Sequence, residues 1–215
     1  MNENYLIVDS MEITSTKTHP AERNKEPILD IFKKYLVPKG KLLEIGSGNG
    51  IHAKYFAKEF PLIDWYMSDK KSQQRILNKS VSEAKLENLK KPVNLEIGKD
   101  DFPKTPFDYV FAANVLHIMS WNEDKTLFKI LGKRLRENSL VFFYGPFNYN
   151  GKFTTQSNED FDKWLKGNTD KSGIRNYEDV LNNMMKSGFK ILKDHEMPAN
   201  NRMLVFERKI YEGRK

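Results

Sequence analysis

From Lys41 nearly to the end of the sequence, short apolar runs alternate with amphipathic stretches of helical period. This is the pattern of a mostly parallel sheet covered by helices. Residues 42–45 read as the first strand. Residues 51–60 follow with Tyr55, Phe56 and Phe60 at helical spacing until Pro61 stops them. A second strand is predicted over 63–68, a charged amphipathic helix over 72–89, a third strand over 93–97 and a fourth, buried one over 107–113. Leu127, Ile130, Leu131 and Leu135 line one face of a helix expected over 123–136, and 140–144 is the fifth strand. Ahead of the sheet, 21–36 is a helix candidate in which Pro27 marks a start or a kink.

After the fifth strand the texture changes. Gly145-Pro146-Phe147-Asn148-Tyr149-Asn150-Gly151 is turn chemistry and opens a long polar excursion to Ser172. A loop of that length in a compact domain serves as a lid or a binding element. A short helix is expected within it over 160–166, and another over 177–187, ended by Gly188. Residues 189–196 and 203–208 read as an antiparallel hairpin around Pro198-Ala199-Asn200-Asn201. The expectation is therefore an extension over 1–18, then one α/β domain over 19–215 with a lid-like insertion at about 146–172. The sheet should be seven-stranded and mostly parallel, with helices on both faces.

Composition narrows the function classes. The chain has 215 residues, 39% of them hydrophobic, enough for one full core and too few for two ordinary domains. The absence of an 18-residue apolar run and of a basic, then apolar N-terminus argues against a membrane span or signal peptide, so a cytoplasmic protein is expected. With no cysteine, disulfides, cysteine zinc sites and thiolate nucleophiles are excluded, and four scattered histidines suggest no metal site. The net charge of +7 would suit nucleic acid or an anionic substrate. Its lysines, however, are dispersed, as in Lys33-Lys34, Lys70-Lys71 and Lys90-Lys91, and lack interleaved aromatics. A solvated surface fits them better than a nucleic-acid platform.

The chemistry concentrates in Glu44-Ile45-Gly46-Ser47-Gly48-Asn49-Gly50, between the first strand and the first helix of the sheet. Glycines let the backbone turn tightly and approach a ligand, and the helix N-terminus offers free N–H groups. A dinucleotide fingerprint would be Gly-x-Gly-x-x-Gly, but here the third glycine comes one residue early and Ile51 holds its place. Acid-x-Gly-x-Gly-x-Gly is instead the pattern of S-adenosylmethionine (SAM) sites, with Gly46, Ser47, Gly48 and Gly50 against the cofactor and Glu44 toward its amino-acid end. Asp69 ends the second strand, 19 residues beyond Gly50, where a carboxylate can accept both ribose hydroxyls; a helix N-cap is the competing role. Asp100 or Asp101, after the third strand, is placed to meet an adenine amino group or to form a turn.

Asn114 ends the fourth strand as a further cofactor candidate and is followed by Val115-Leu116-His117. No Pro-Pro-aromatic follows it, which disfavours methylation of exocyclic amines on nucleic-acid bases. His117 invites a general-base reading, with a structural histidine bonded to backbone as the alternative. Tyr144 and Asn148 leave the fifth strand on the same side, so His117 and Tyr144 are the catalytic candidates.

The sequence also resembles a known family, the SAM methyltransferase-like proteins grouped as domain of unknown function 938, the methyltransferase-like 26 family. The resemblance runs from about His19 to Arg208. It is carried by Pro20-Ala21-Glu22-Arg23-Asn24-Lys25-Glu26-Pro27-Ile28, the loop ending at Gly50 with His52-Ala53, Trp65 with Ser68-Asp69, and Asn114 through Trp121. It continues in Tyr144-Gly145-Pro146-Phe147, Gly151-Lys152-Phe153-Thr154, Ser157-Asn158 with Phe161-Asp162, Gly173-Ile174-Arg175 and Met197-Pro198-Ala199-Asn200-Asn201. It implies a class I methyltransferase fold with SAM as cofactor, and marks Arg23, Asn24 and Asn200 as more than spacers. Gly46 stands where the family often has Ala, and Ile51 where it often has Gln.

Together these readings give methyl transfer from SAM to a small polar or anionic acceptor, held by Arg23, Asn24, His117, Tyr144, Asn148 and Asn200. The competing readings are a SAM-fold protein that binds without turnover and a methyltransferase acting on RNA or protein.

Overall fold

The computed structural model describes residues 19–210. The expected extension over 1–18 and the end of the expected domain, 211–215, lie outside the described residues. Helix α1 (Pro20–Tyr35) precedes β1 (Gly40–Ile45), α2 (Ile51–Glu59), β2 (Ile63–Asp69), a 3-10 turn (Lys71–Gln73), α3 (Gln74–Ala84) and β3 (Val93–Asn94). Then come β4 (Tyr109–Ala113), α4 (Trp121–Arg134), β5 (Leu140–Gly145), β6 (Phe147–Asn148), α5 (Gln156–Asn168), β7 (Arg175–Asn176), α6 (Tyr177–Lys186), β8 (Phe189–Met197) and β9 (Asn201–Arg208).

Seven strands form one sheet in the order β3-β2-β1-β4-β5-β9-β8. Only β9 is reversed, pairing antiparallel with both β5 and β8, so the expected closing hairpin inserts its second strand between β5 and β8. Alternation along each strand splits the core into two layers. Tyr109 and Phe111 of β4 face α1, α2 and α3, while Val110 and Ala112 face α4 and α6. In the first layer Phe32 of α1 is fully buried, its ring 4.9, 5.0 and 5.2 Å from those of Phe56, Phe111 and Phe142. The architecture is the Rossmann-like class I methyltransferase fold, with helices on both faces of a mostly parallel sheet.

Several expectations need correction, among them the starts of β4, at Tyr109 rather than 107, and of β9, at Asn201 rather than 203. The helix expected over 72–89 ends at Ala84, where Lys85 turns left-handed (φ 52°). Past it, the Asn88 side chain donates to the carbonyls of Ala57, Phe60 and Ile63, and the Asn88 carbonyl accepts from Trp65 N–H. These bonds draw 86–89 out of the helix and onto the edge of β2. The third strand stops at Asn94 rather than residue 97. Helix α4 begins at Trp121 because Ser120 and Glu123 form a reciprocal capping box. The polar excursion is largely folded: Thr155 accepts from Asn158 N–H and starts the 13-residue α5, and β6 pairs with β7 beside the main sheet. Helix α1 continues through Pro27.

Candidate active site

The loop after β1 is fixed by its neighbours before any ligand is considered. Ser47 N–H donates to the Ser68 carbonyl at 3.0 Å, and Ser47 Oγ accepts from Ser68 N–H and donates to the Glu44 carbonyl, both at 3.2 Å. Gly46 (φ 67°) lies so near Val115 that an added Cβ would come within 2.6 Å of its Cγ2, whereas one on Gly48 (φ 56°) would meet nothing within 4 Å. Gly46 is thus a packing glycine, and Gly48 leaves backbone facing open space. Asp69 joins the loop to β2: one carboxylate oxygen accepts from Gly48 N–H at 2.9 Å and the other from Lys70 N–H at 2.8 Å. Burial pushes its carboxyl pKa up, opposed by those two N–H groups. Each oxygen keeps a lone pair, so Asp69 can still accept from a ligand.

Two clefts of about 150 Å³ each open at the carboxyl ends of the central strands. The first runs over Gly46, Gly48 and Asn114 and is bordered by His19, Ala21 and His52. The N-termini of α1 and α2 both flank it, an arrangement suited to a carboxylate. The second runs past Asp69, Glu96, Ile97 and Met119. Gly46, Val115 and Ile118 line both, so the two are arms of one site. The segment Leu116 to Met119, whose Ile118 lines both arms, is pinned by hydrogen bonds to its carbonyls. Arg175 Nε donates to the Leu116 carbonyl at 3.1 Å and to Asp124 Oδ2 at 2.6 Å, Arg175 Nη2 donates to the Met119 carbonyl, Ser172 Oγ to the Ile118 carbonyl and Gly173 N–H to the His117 carbonyl.

Glu44 lines neither arm. It is 2% exposed, accepts from Trp65 Nε1 at 2.7 Å, and its other oxygen lies 4.0 Å from His52 Nδ1. His52 Nε2 meets Asn24 Oδ1 at 2.6 Å, and the side chains of Asn24 and Asn201 both act on the Tyr144 hydroxyl, opposing the rise of its pKa. A buried polar pair, His52 with Asn24, therefore joins the space beneath the glycine loop to α1. Burial raises the Glu44 pKa to about 8 and lowers that of His52 to about 3, so both are uncharged near neutrality. Burial also drives the Tyr144 phenol up to about 12, making it a hydrogen-bond partner rather than a base.

His117 is 4% exposed, edge-on to Phe161 of α5 with ring centroids 5.3 Å apart. Burial, then the charge of Arg175, lowers its pKa to about 3, so it is a neutral imidazole and a weak proton acceptor. Asn148 is buried on β6, and Arg23 is exposed on α1, its charge acting on Tyr144. Asn200 is exposed in the β8–β9 turn (φ 58°), its carbonyl accepting from Asn158 of α5. Asp100 folds back to accept from Glu96 N–H at 2.7 Å and lines neither arm. Ending β3 at Asn94 brings Glu96 and Ile97 to the cleft in its place. Sequence reasoning missed them for that reason, and missed Ile118 and Met119 because apolar residues after a strand read as core. His52 was visible only within the family motif.

Solved structures share this fold. The SAM-dependent methyltransferase SibL superposes with a TM-score of 0.73 at 19% identity, covering 88% of this chain and 56% of that one. An O-methyltransferase family 2 protein from Planctomyces limnophilus, solved with apigenin, gives 0.71 at 14% over 88% and 62%. Human N-acetylserotonin methyltransferase with SAM gives 0.68 at 15% over 88% and 53%. The chain thus spans less than two thirds of each of these structures. An uncharacterized protein of Rickettsia prowazekii is 30% identical over 103 residues, 47% of this chain and 41% of that protein. The family DUF938, described as a protein of unknown function, matches residues 16–208, and the chain belongs to it.

Proposed function

We propose that this protein transfers a methyl group from SAM to a small polar acceptor. The observation that carries the reading is the two-armed cleft, with the glycine loop and two helix N-termini on one arm and the Asp69 carboxylate on the other. Its residues fit the cofactor. The arm over Gly46, Gly48 and Asn114 suits an amino-acid end, Asp69 has acceptor capacity for ribose hydroxyls, and the Glu96–Ile97 backbone borders the place for the base. When bound, SAM supplies an electrophilic methyl on a sulfonium. The protein's share is to hold the acceptor in line with it and exclude water, which needs little acid or base help. His117 at pKa about 3 suits this division of labour, because it orients an acceptor rather than stripping its proton. Helix α5 and the N-terminal part of α1 act as the cover, and Arg23, Asn24, Tyr144, Asn148 and Asn200 stand on the acceptor side. The placement beside methyltransferase-like 26 rests on the sequence motifs alone.

The weak basicity of His117 and the persistently protonated phenol of Tyr144 favour a second reading, a protein that binds SAM without turning it over. Titration calorimetry with SAM and S-adenosylhomocysteine tests what both share, and no heat of binding would falsify them together. Methylated product from a metabolite library separates them.

A further inference from the structure

Three acidic residues line the second arm of the cleft, Asp69, Glu96 and Glu123, and they differ in what their oxygens already hold. Both carboxylate oxygens of Asp69 accept backbone N–H groups. Glu96 is tied into its own turn: its carbonyl accepts from Lys99 N–H and Asp100 N–H, each at 3.0 Å, and its carboxylate pairs with the Lys99 ammonium at 2.5 Å. Glu123 stands in the first turn of α4, where its Oε2 accepts from Ser120 N–H at 2.7 Å and its own N–H donates to Ser120 Oγ at 3.3 Å. Its Oε1 accepts no hydrogen bond among the described residues, and the side chain is half-buried at the cleft.

Two anchors fix that oxygen in place. The reciprocal capping box holds the Glu123 side chain on the helix end. Met119, one residue before the cap, lines the same arm and is tied through its carbonyl to Arg175. Leu95, Ile97 and Met119 give the arm apolar walls suited to a flat ring. The Lys99 ammonium also feels the Glu123 charge, but it is 70% exposed and paired with Glu96, which leaves Oε1 to a ligand.

On the methyltransferase reading, we propose that Glu123 reads the base of the cofactor: its Oε1 accepts a hydrogen bond from the exocyclic amine of adenine, so the second arm selects an amino-purine over one carrying a carbonyl at that carbon. A carboxylate is an acceptor only. Facing an amine it gains a charge-assisted bond, whereas facing a carbonyl it sets lone pairs against lone pairs. One side chain thus caps α4 with one oxygen and recognises the ligand with the other.

The test is a binding titration of the full chain with S-adenosylhomocysteine and with S-inosylhomocysteine, in which a carbonyl replaces the amine. The parent protein is expected to bind the first at least tenfold more tightly. Glu123→Gln keeps the capping box, because its carbonyl can accept from Ser120 N–H, and this turns an amide NH2 toward the arm in place of an acceptor. The ratio of the two affinities should therefore fall at least tenfold in Glu123→Gln. Glu123→Ala, which removes the acceptor without supplying a donor, should bring the ratio to within about threefold of one. Loosening of α4 would weaken both ligands alike, so the ratio separates base recognition from a merely structural role. No preference in the parent, an unchanged ratio in both variants, or a larger shift in Glu96→Gln overturns the assignment while leaving the methyltransferase reading in place. If S-adenosylhomocysteine does not bind the parent at all, both fall.

Discussion

Asp69 makes the sharpest statement at the scale of one residue, because two backbone N–H groups already bind its carboxylate and a ligand must use the lone pairs that remain. Asp69→Ala is expected to weaken SAM binding by about 1.5–3 kcal/mol, the scale of a lost charge-assisted hydrogen bond, read by calorimetry. An unchanged dissociation constant would remove Asp69 from the ribose. His52 acts differently. Its ring joins Asn24 to the neighbourhood of Glu44 inside the core, so His52→Ala strands the buried Asn24 amide and leaves a cavity beside Glu44, which keeps its bond from Trp65. A loss of about 2–4 kcal/mol in urea unfolding is expected, the sum of an orphaned polar group and a small cavity. The glycine motif and Asp69 were legible in the sequence, because turn chemistry and strand ends leave local marks. The inward aim of Glu44 was not. It depends on Trp65 of the neighbouring strand offering a donor, a pairing that one-dimensional spacing does not encode.

Helices α1 and α5 carry the argument one level up, since neither belongs to the sheet yet both reach the site. α1 presents His19 and Ala21 to the first arm, and α5 lays Phe161 against His117. If they are covers, amide exchange in residues 20–24 and 156–164 should slow severalfold when S-adenosylhomocysteine is added, while exchange in α4 stays as it was. Exchange indifferent to ligand in both segments would make them fixed scaffolding. Long apolar periodicities located nearly every element, and the strand starting at Leu140 was placed to within one residue. What failed were ends decided by side-chain capping at a distance, such as Asn88 ending the helical run after α3. The polar excursion looked like loop because α5 buries little beyond Leu165 and its polar anchors Asn158 and Asp162.

For the molecule as a whole, the buried ionisable groups set a pH dependence. His117 is held at about 3, so below pH 6.5 the unfolded chain takes up a proton that the folded one refuses. Its contribution is lost as pH falls from 6.5 toward 3. Glu44 is held at about 8, so the folded chain keeps a proton that the unfolded one releases above 4.5, and that stabilisation is lost as pH rises to 8. Relative to His117→Gln, the parent protein should therefore lose about 1.4 kcal/mol per pH unit below 6.5. Relative to Glu44→Gln, it should lose a similar amount per unit between 4.5 and 8. Urea unfolding across pH 4–8.5 measures both, and parallel profiles would contradict the burial that the fold imposes.

The sheet order has one more consequence, for colloidal behaviour. An open sheet has two borders where backbone N–H and C=O groups can recruit a foreign strand. Here one border is β3, only two residues long, and the other is β8, whose ladder slips between Ile191 and Lys193 and which carries Lys190 and Lys193. Shortness guards the first, and a bulge with cationic side chains guards the second. Replacing Lys190 and Lys193 with valine should leave the fold in place but make concentrated solutions scatter light and bind amyloid dyes on gentle heating, because the β8 border would then offer a longer apolar template.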